Sequence, residues 1–226
     1  MGQRSRILSP TQVRKAMVAA MPGGLGAAMY KLSNDVQWLH FKWSEYRLLF
    51  GTSPETIDLL NGVAPIFFHH LQISLWDDVL LHLCRLTDPP KMGRYRNLTI
   101  GSLPPLVTDR SLRKSLESLV NKATEKAEFA RIRRNRRIAH KELPAVLRGQ
   151  SEPLAPASRQ HVEVALATLR EIMNSVESQY QNAPVFYEGF KPVHGVESLL
   201  SYLKKGVQIQ EAEDDVLAAW EEKQSS

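Results

Sequence analysis

The chain has 226 residues, 43% of them hydrophobic and 23% charged, which is enough for one sizeable core and too apolar for general disorder. No apolar run reaches the roughly 18 to 20 residues needed to cross a bilayer, so no membrane-spanning segment is expected and the predicted address is cytoplasmic. A net charge of +5 leans toward an anionic partner, and the single cysteine, Cys84, excludes an internal disulfide and a thiolate zinc cage.

The opening stretch MGQRSRILSPTQVRK carries arginines with no apolar run behind them, which argues against a secretory signal; Arg6 stands where a myristoylation signal takes Ser or Thr. Ser9-Pro10 then reads as an N-cap with proline in the first helical turn, opening a helix to about residue 20 that MPGG closes. Residues 25–50 carry Leu32, Val36, Leu39, Trp43 and Tyr46 at spacings of three and four, the stripe of a helix with one buried face. Ser53-Pro54-Glu55 repeats the cap signal for a short helix ending at Asn61-Gly62. Residues 65–87 form a long apolar helix, with Phe68, Leu71, Leu75, Val79, Leu83 and Leu86 on one side, that Asp88-Pro89-Pro90 stops.

Residues 88–110 look irregular, apart from a turn of helix near Ile100 to Leu103. Asp109 or Ser111 caps a helix of roughly thirty residues by the same start and stop signals. A polar loop over 142–157 and a helix over 158–181, with Val162, Leu166, Leu169, Ile172 and Val176 inward, complete the set. The expected fold is all-α: a four-helix up-down bundle over residues 1–182, with extra short helices, and a helical appendage over 183–226 built from helices at 196–204 and 211–223. No internal repeat is evident.

The stretch RIRRNRRIAHK, residues 131–141, puts five arginines into seven positions before His140. On a wheel at about 100° per residue, Leu112, Leu116, Leu119, Ala123, Ala127 and Ala130 share one narrow sector, and the next residues to enter it are Arg134, Arg137 and Lys141. Unpaired buried cations are costly, so this end of the helix leaves the core, meets carboxylates, or lines a wet cleft where anions bind. His140 lies about 20° from Arg133 and 40° from Arg136 on the same wheel, close enough for all three to address one ligand. Those cations would lower the histidine pKa and a bound phosphate would raise it. The plain alternative is that cations near a helix C-terminus simply offset the macrodipole.

Arg134-Asn135-Arg136-Arg137-Ile138-Ala139-His140 resembles the arginine-polar-x(4)-histidine signature of the HEPN superfamily of helical bundles. Leu75-Trp76-Asp77-Asp78, Cys84-Arg85-Leu86-Thr87-Asp88-Pro89-Pro90 and Asn97-Leu98-Thr99-Ile100 resemble its abortive-infection subtype U branch, and the likeness covers about residues 25–181. The resemblance implies a metal-independent endoribonuclease or RNA-binding effector of prokaryotic phage defence, needing no cofactor and no metal. It gives Arg134, Asn135 and His140 the catalytic positions and leaves Arg133, Arg136, Arg137 and Lys141 to hold the RNA. RNA brings its own nucleophile in the 2′-hydroxyl, a histidine near neutrality suits proton transfer, and an arginine holds phosphate oxygens. One histidine does not easily serve as base and acid, so two copies are expected to face each other in a homodimer; a toxin-like role leaves room for an antitoxin partner. On an unbroken helix Arg134 and His140 point about 120° apart, so a single site needs a bend, Arg133 in place of Arg134, or an arginine from the other subunit. The rival readings are a non-enzymatic module binding nucleic acid or an acidic protein, and a structural dimer in which Arg134 and Arg137 meet acids across the interface.

Other features read as structure. Arg85 and Asp88 either pair in the loop that ends their helix or, as the resemblance suggests, brace the motif. His69, His70 and His82 share a helix with Asp77 and Asp78, but no Glu-x-x-His pair exists, so they read as solvated or core-edge side chains rather than metal ligands. Trp38, Trp43, Trp76 and Tyr46 fall mostly at core spacing, and no Gly-rich phosphate loop occurs. Glu211, Glu213, Asp214, Asp215, Glu221 and Glu222 give the C-terminus the opposite sign to the arginine helix, which raises the expectation of a tail that folds over it.

Overall fold

A computed structural model describes residues 8–138, 157–181, 185–189 and 194–224. Helix α1 is Pro10–Ala20, capped by Ser9 in a capping box with Gln12. Helices α2 (Leu25–Phe50), α3 (Pro54–Val63) and α4 (Pro65–Thr87) follow, and Ser53 caps α3. Between α1 and α2 the chain turns at Gly23 and Gly24, with φ of 52° and 85°, values that glycine adopts without steric cost. Gly26 then lets α2 pass against the Met17 backbone so closely that a Cβ there would overlap the Met17 carbonyl.

After α4 comes a two-stranded hairpin, β1 (Lys91–Met92) and β2 (Tyr95–Arg96), and then two 3-10 turns, Ile100–Ser102 and Pro104–Leu106. The roughly thirty-residue helix expected next is divided: α5 is Arg110–Lys126, α6 is Glu128–Arg133, and Arg134–Ile138 is a π-turn. Ala127, at φ −93° and ψ 0°, is the joint, and Asp109 is the cap, its Oδ1 accepting from Leu112 N–H at 2.6 Å. Helix α7 is Arg159–Gln181, a short 3-10 turn holds Tyr187–Gly189, and α8 is Val196–Gln224. The two short C-terminal helices expected are therefore one helix of 29 residues, since Gly206 sits within it as a tolerated helical glycine rather than as a stop. The all-α class is as the periodicity predicts.

The chain divides into two compact units. The first holds the described residues of Met1–His40 and Asp77–Phe190. Its core draws Leu32, Val36 and Leu39 from α2, Val79, Leu80, Leu83 and Leu86 from α4, Leu116 and Ala123 from α5, Ala127 and Ala130 around α6, and Val162, Leu166, Leu169 and Val176 from α7. Leu112 and Leu119, expected in the same stripe, are only half-buried. A polar bolt holds the segment after α7: the Tyr187 hydroxyl donates to buried Glu177 Oε1 at 2.7 Å and lies 2.9 Å from Ser33 Oγ, while Val185 N–H donates to Asn174 Oδ1 at 3.1 Å. Burial pushes the Glu177 carboxyl above its usual range, and burial followed by the charge of Glu177 raises the Tyr187 phenol. His40, whose ring lies 6.3 Å from that of Tyr187, is lowered to about 4, by burial first and then by the Arg170 charge.

The second unit joins the described residues of Phe41–Trp76 and Lys191–Ser226. Leu49, Leu60, Phe68 and Val196 form its core, and Leu200 and Leu203 of α8 pack on it. Trp43 stacks on Tyr46 at 5.3 Å with Trp76 tilted against both, so these aromatics are packing side chains as expected, whereas Trp38 is 51% exposed. Glu45 accepts from Val196 N–H at 2.9 Å, fixing the start of α8. From residue 208 onward α8 is exposed along its whole length, its acidic residues included. The first unit runs past residue 182 to Phe190 and includes Tyr187, and α8 groups with Phe41–Trp76 in the second.

Candidate functional site: the cationic turn

The buried stripe of α5 and α6 runs through Ala123, Ala127 and Ala130, and the next residue on it is Arg134, at the start of the π-turn. The cation meets a carboxylate. Arg134 Nη1 donates to Asp88 Oδ2 at 2.6 Å, and both side chains are largely covered, 22% and 16% exposed. Asp88 Oδ1 takes a longer contact of 3.4 Å from Arg131 Nε. Arg131 also reaches the Thr87 carbonyl and hydroxyl, each at 3.3 Å, and pairs with Glu128 one turn back.

Asp88 is held there by the stop of α4. Its N–H donates to the Cys84 carbonyl at 2.7 Å, and Pro89-Pro90 ends the helix behind it. A carboxylate at a helix C-terminus sits against the negative end of the macrodipole, an unfavourable place that two arginines offset. The same charges reach Cys84: burial pushes its thiol up to about 11, with Arg134 pulling it down and Asp88 raising it, so Cys84 is a protonated core side chain and not a nucleophile. Arg85, one expected partner of Asp88, turns instead to Asp35 at 3.4 Å and donates to His82 Nε2 at 2.7 Å. The expected pairing of Arg85 with Asp88 is not made; Asp88 pairs with Arg131 and Arg134 instead. His69 and His70 are exposed and His82 is buried; among the described residues no cluster of His, Cys, Asp or Glu forms that could hold a metal.

Two sides of the Arg134 guanidinium are thus occupied, Nη1 by Asp88 and Nε by Asn135 Oδ1 at 3.1 Å, while Nη2 has no hydrogen-bond partner among the described residues. Asn135 is exposed and acts on Arg134 itself. Arg133 is half-buried with no ion pair or hydrogen bond among the described residues, and Arg136 is half-buried too. Arg137 lies in the π-turn by its backbone. Its side chain, His140 and Lys141 lie outside the described residues.

A π-turn closes i→i+5 bonds in place of the i→i+4 bonds of an α-helix, so α-wheel arithmetic applies up to Arg134. The expected placements of Arg137 and Lys141 on the core stripe and the 120° offset of His140 fall on side chains outside the described residues. Sequence reading missed Arg131 and Thr87 as members of the site; the one signal available was that both flank motif residues, Arg131 three before Arg134 and Thr87 next to Asp88.

The family model for AbiU2, a HEPN family, matches residues 24–199, more than half of the chain. The chain belongs to the AbiU2 family. No curated protein and no solved structure matches it. The AbiU2 match runs beyond residue 181, through Tyr187 and into the first turn of α8, so the Glu177–Tyr187 bolt lies inside the family region. It contains Asp88 and the whole cationic turn, and leaves out α1 and most of α8. Among the described residues no helix is long and apolar enough to cross a membrane.

Proposed function

We propose that this AbiU2-family chain is an RNA-cleaving effector of prokaryotic phage defence, with Arg134, Asn135 and His140 as its reacting groups. The observation that carries the reading is the clamping of Arg134. A guanidinium fixed by Asp88 on one side and Asn135 on the other keeps Nη2 for a phosphate oxygen, with little orientational freedom left to lose. The 2′-hydroxyl of RNA attacks the adjacent phosphorus as the bond from phosphorus to the 5′-oxygen breaks, leaving a 2′,3′-cyclic phosphate; one His140 takes the hydroxyl proton, a second proton carrier protonates the departing 5′-oxygen, and Arg134 offsets charge gathering on the non-bridging oxygens. This chemistry draws its nucleophile from the substrate, so it proceeds without a metal ion. Arg133, Arg136, Arg137 and Lys141 hold neighbouring phosphates. Because one imidazole does not readily act as base and acid in the same step, a second copy across a two-fold axis supplies the other proton carrier.

The test is cleavage of a mixed RNA pool by purified protein in EDTA, beside His140→Ala and Arg134→Ala. Loss of cleavage in both variants is expected, and an unchanged rate in either refutes the assignment. A second reading, an RNA-binding effector without catalysis, is favoured by the charge that Asp88 already takes from Arg134. It predicts intact RNA and an affinity that falls steeply with salt as bound counterions are displaced.

A further inference from the structure

We propose that the β1–β2 hairpin is a second RNA-contacting element, in which Tyr95 stacks on an unpaired base and Lys91, Arg94 and Arg96 take the flanking phosphates. The inference deepens the functional reading above and rests on it.

The hairpin is small, cationic and uncovered. All eight residues of 91–98 are exposed, Tyr95 by 61% and Met92 by 51%, so neither face of the ribbon is packed on a core. The six residues KMGRYR carry three cations and no acid, and among the described residues none of the three is in an ion pair. A two-stranded ribbon without a covered face is marginal on its own, so its base must be tied down. It is. Asn97 N–H donates to the Pro90 carbonyl at 2.9 Å, the Ser102 hydroxyl donates to the Asn97 carbonyl at 3.1 Å, and Gly101 sits where a Cβ would crowd the Pro90 ring. Gly93, at φ 59°, makes the tight turn at the tip.

Tyr95 is set up as a platform. Arg94 lies over its ring at 5.0 Å from the centroid and donates to its hydroxyl at 2.8 Å, so the ring is steadied by a neighbour that is itself cationic. An exposed aromatic ring between cations is the recurring means of gripping single-stranded nucleic acid, since every base offers a π-face and every nucleotide a phosphate.

Position ties the ribbon to the cationic turn. Lys91 follows Asp88 by three residues, so at most about 11 Å of chain separates it from the carboxylate that clamps Arg134. A strand whose phosphate rests on Arg134 can therefore reach the hairpin within a few nucleotides. Unpaired RNA is the form that fits, because a ring stacks only on a base that is not already stacked in a duplex.

The probe is a short fluorescein-labelled single-stranded 2′-O-methyl RNA, which lacks the attacking hydroxyl and stays intact, with binding read by anisotropy across a salt series. Tyr95→Ala is expected to weaken binding about 5- to 100-fold, the range found for loss of one base–aromatic stack, and Tyr95→Phe to stay within about twofold. Neutralising Lys91, Arg94 and Arg96 together should reduce the slope of log affinity against log salt by about 2, at roughly 0.7 per phosphate contact on a single strand. All these side chains are exposed, so circular dichroism and melting should match the parent. If the parent binds and the hairpin variants bind equally well, the hairpin proposal is overturned and the functional reading survives. A loss with Tyr95→Phe as large as with alanine also overturns it, since the phenol rather than the ring would then matter. If the parent binds no RNA, the functional reading fails and takes this one with it.

Discussion

Replacing Asp88 with alanine removes the carboxylate that Arg131 and Arg134 share. The Arg134 contact, at 2.6 Å between groups that are 22% and 16% exposed, dominates; the 3.4 Å contact to Arg131 adds little, and Arg131 keeps Glu128. Two unit charges about 4 Å apart attract by about 4 kcal/mol at an effective dielectric of 20, before the cost of bringing both out of water. Breaking a fully buried pair by deleting one partner costs about 3 to 5 kcal/mol, and some water access here places the expected loss at about 2 to 3 kcal/mol. At roughly 2 to 4 °C per kcal/mol for a chain of this size, the melting temperature should fall by about 4 to 12 °C. Asp88→Asn, which keeps an acceptor for Arg134 but no charge, should fall between parent and alanine. Lys122→Ala is the control: its pair with Glu171 is exposed, 51% and 50%, and should be worth at most about 1 kcal/mol. The assay is thermal and denaturant unfolding of the single variants and of Asp88→Ala with Arg134→Ala. The clamp requires that the double variant lose much less than the two singles summed. Additive losses, or an Asp88→Ala no worse than Lys122→Ala, would refute it.

Tyr187→Phe keeps the ring but takes a donor from the buried Glu177 carboxylate, and should cost about 1.5 to 3 kcal/mol in denaturant unfolding; a cost near zero would mean that the bolt holds nothing. Glu177 is raised in the folded state, so protonation favours the fold: its contribution is full below the ordinary carboxyl value near 4.5 and is lost as pH rises through the folded value. His40 acts in the opposite sense, lowered from 6.5 to about 4, so its contribution is full above pH 6.5 and is lost as pH falls from 6.5 to 4; His40→Gln should flatten that part of the stability–pH profile, and an unchanged profile would show that His40 is not its source. Gly26→Ala should destabilise by more than about 2 kcal/mol because the new Cβ meets the Met17 backbone, whereas Gly206→Ala, in open space within α8, should stabilise that helix by about 0.5 to 1 kcal/mol. Equal effects at the two glycines, read by thermal melting, would dispose of the close-approach account.

Much of the local structure was legible because local rules produced it. Ser9-Pro10, Ser53-Pro54 and Asp109 cap helices where they were read to, and Asp88-Pro89-Pro90 ends one. The cationic continuation of an apolar stripe was readable as a conflict needing an answer, and the choice offered, among solvent, carboxylates and a wet cleft, included the one found at Arg134. Its partner was not readable: Asp88 and Arg134 are 46 residues apart, and no local spacing joins them. The hairpin went unseen because strands of two residues leave no alternation to detect. A bend was one of the options open for this helix, but where the backbone leaves α geometry, at Ala127 and over Arg134–Ile138, was not readable, because alanine and arginine are good helix formers and nothing in their propensities marks the place.

By itself, then, the sequence determined an all-α protein, the ends of most of its helices and the location of its charge, since caps, prolines and 3.6-residue periodicity act over a few neighbouring residues. Tertiary structure alone decided which carboxylate meets Arg134, that Glu177 is locked by Tyr187, and that α8 packs with the middle of the chain. Those outcomes depend on distances between segments far apart in sequence, and such distances exist only once the backbone has closed around its cores.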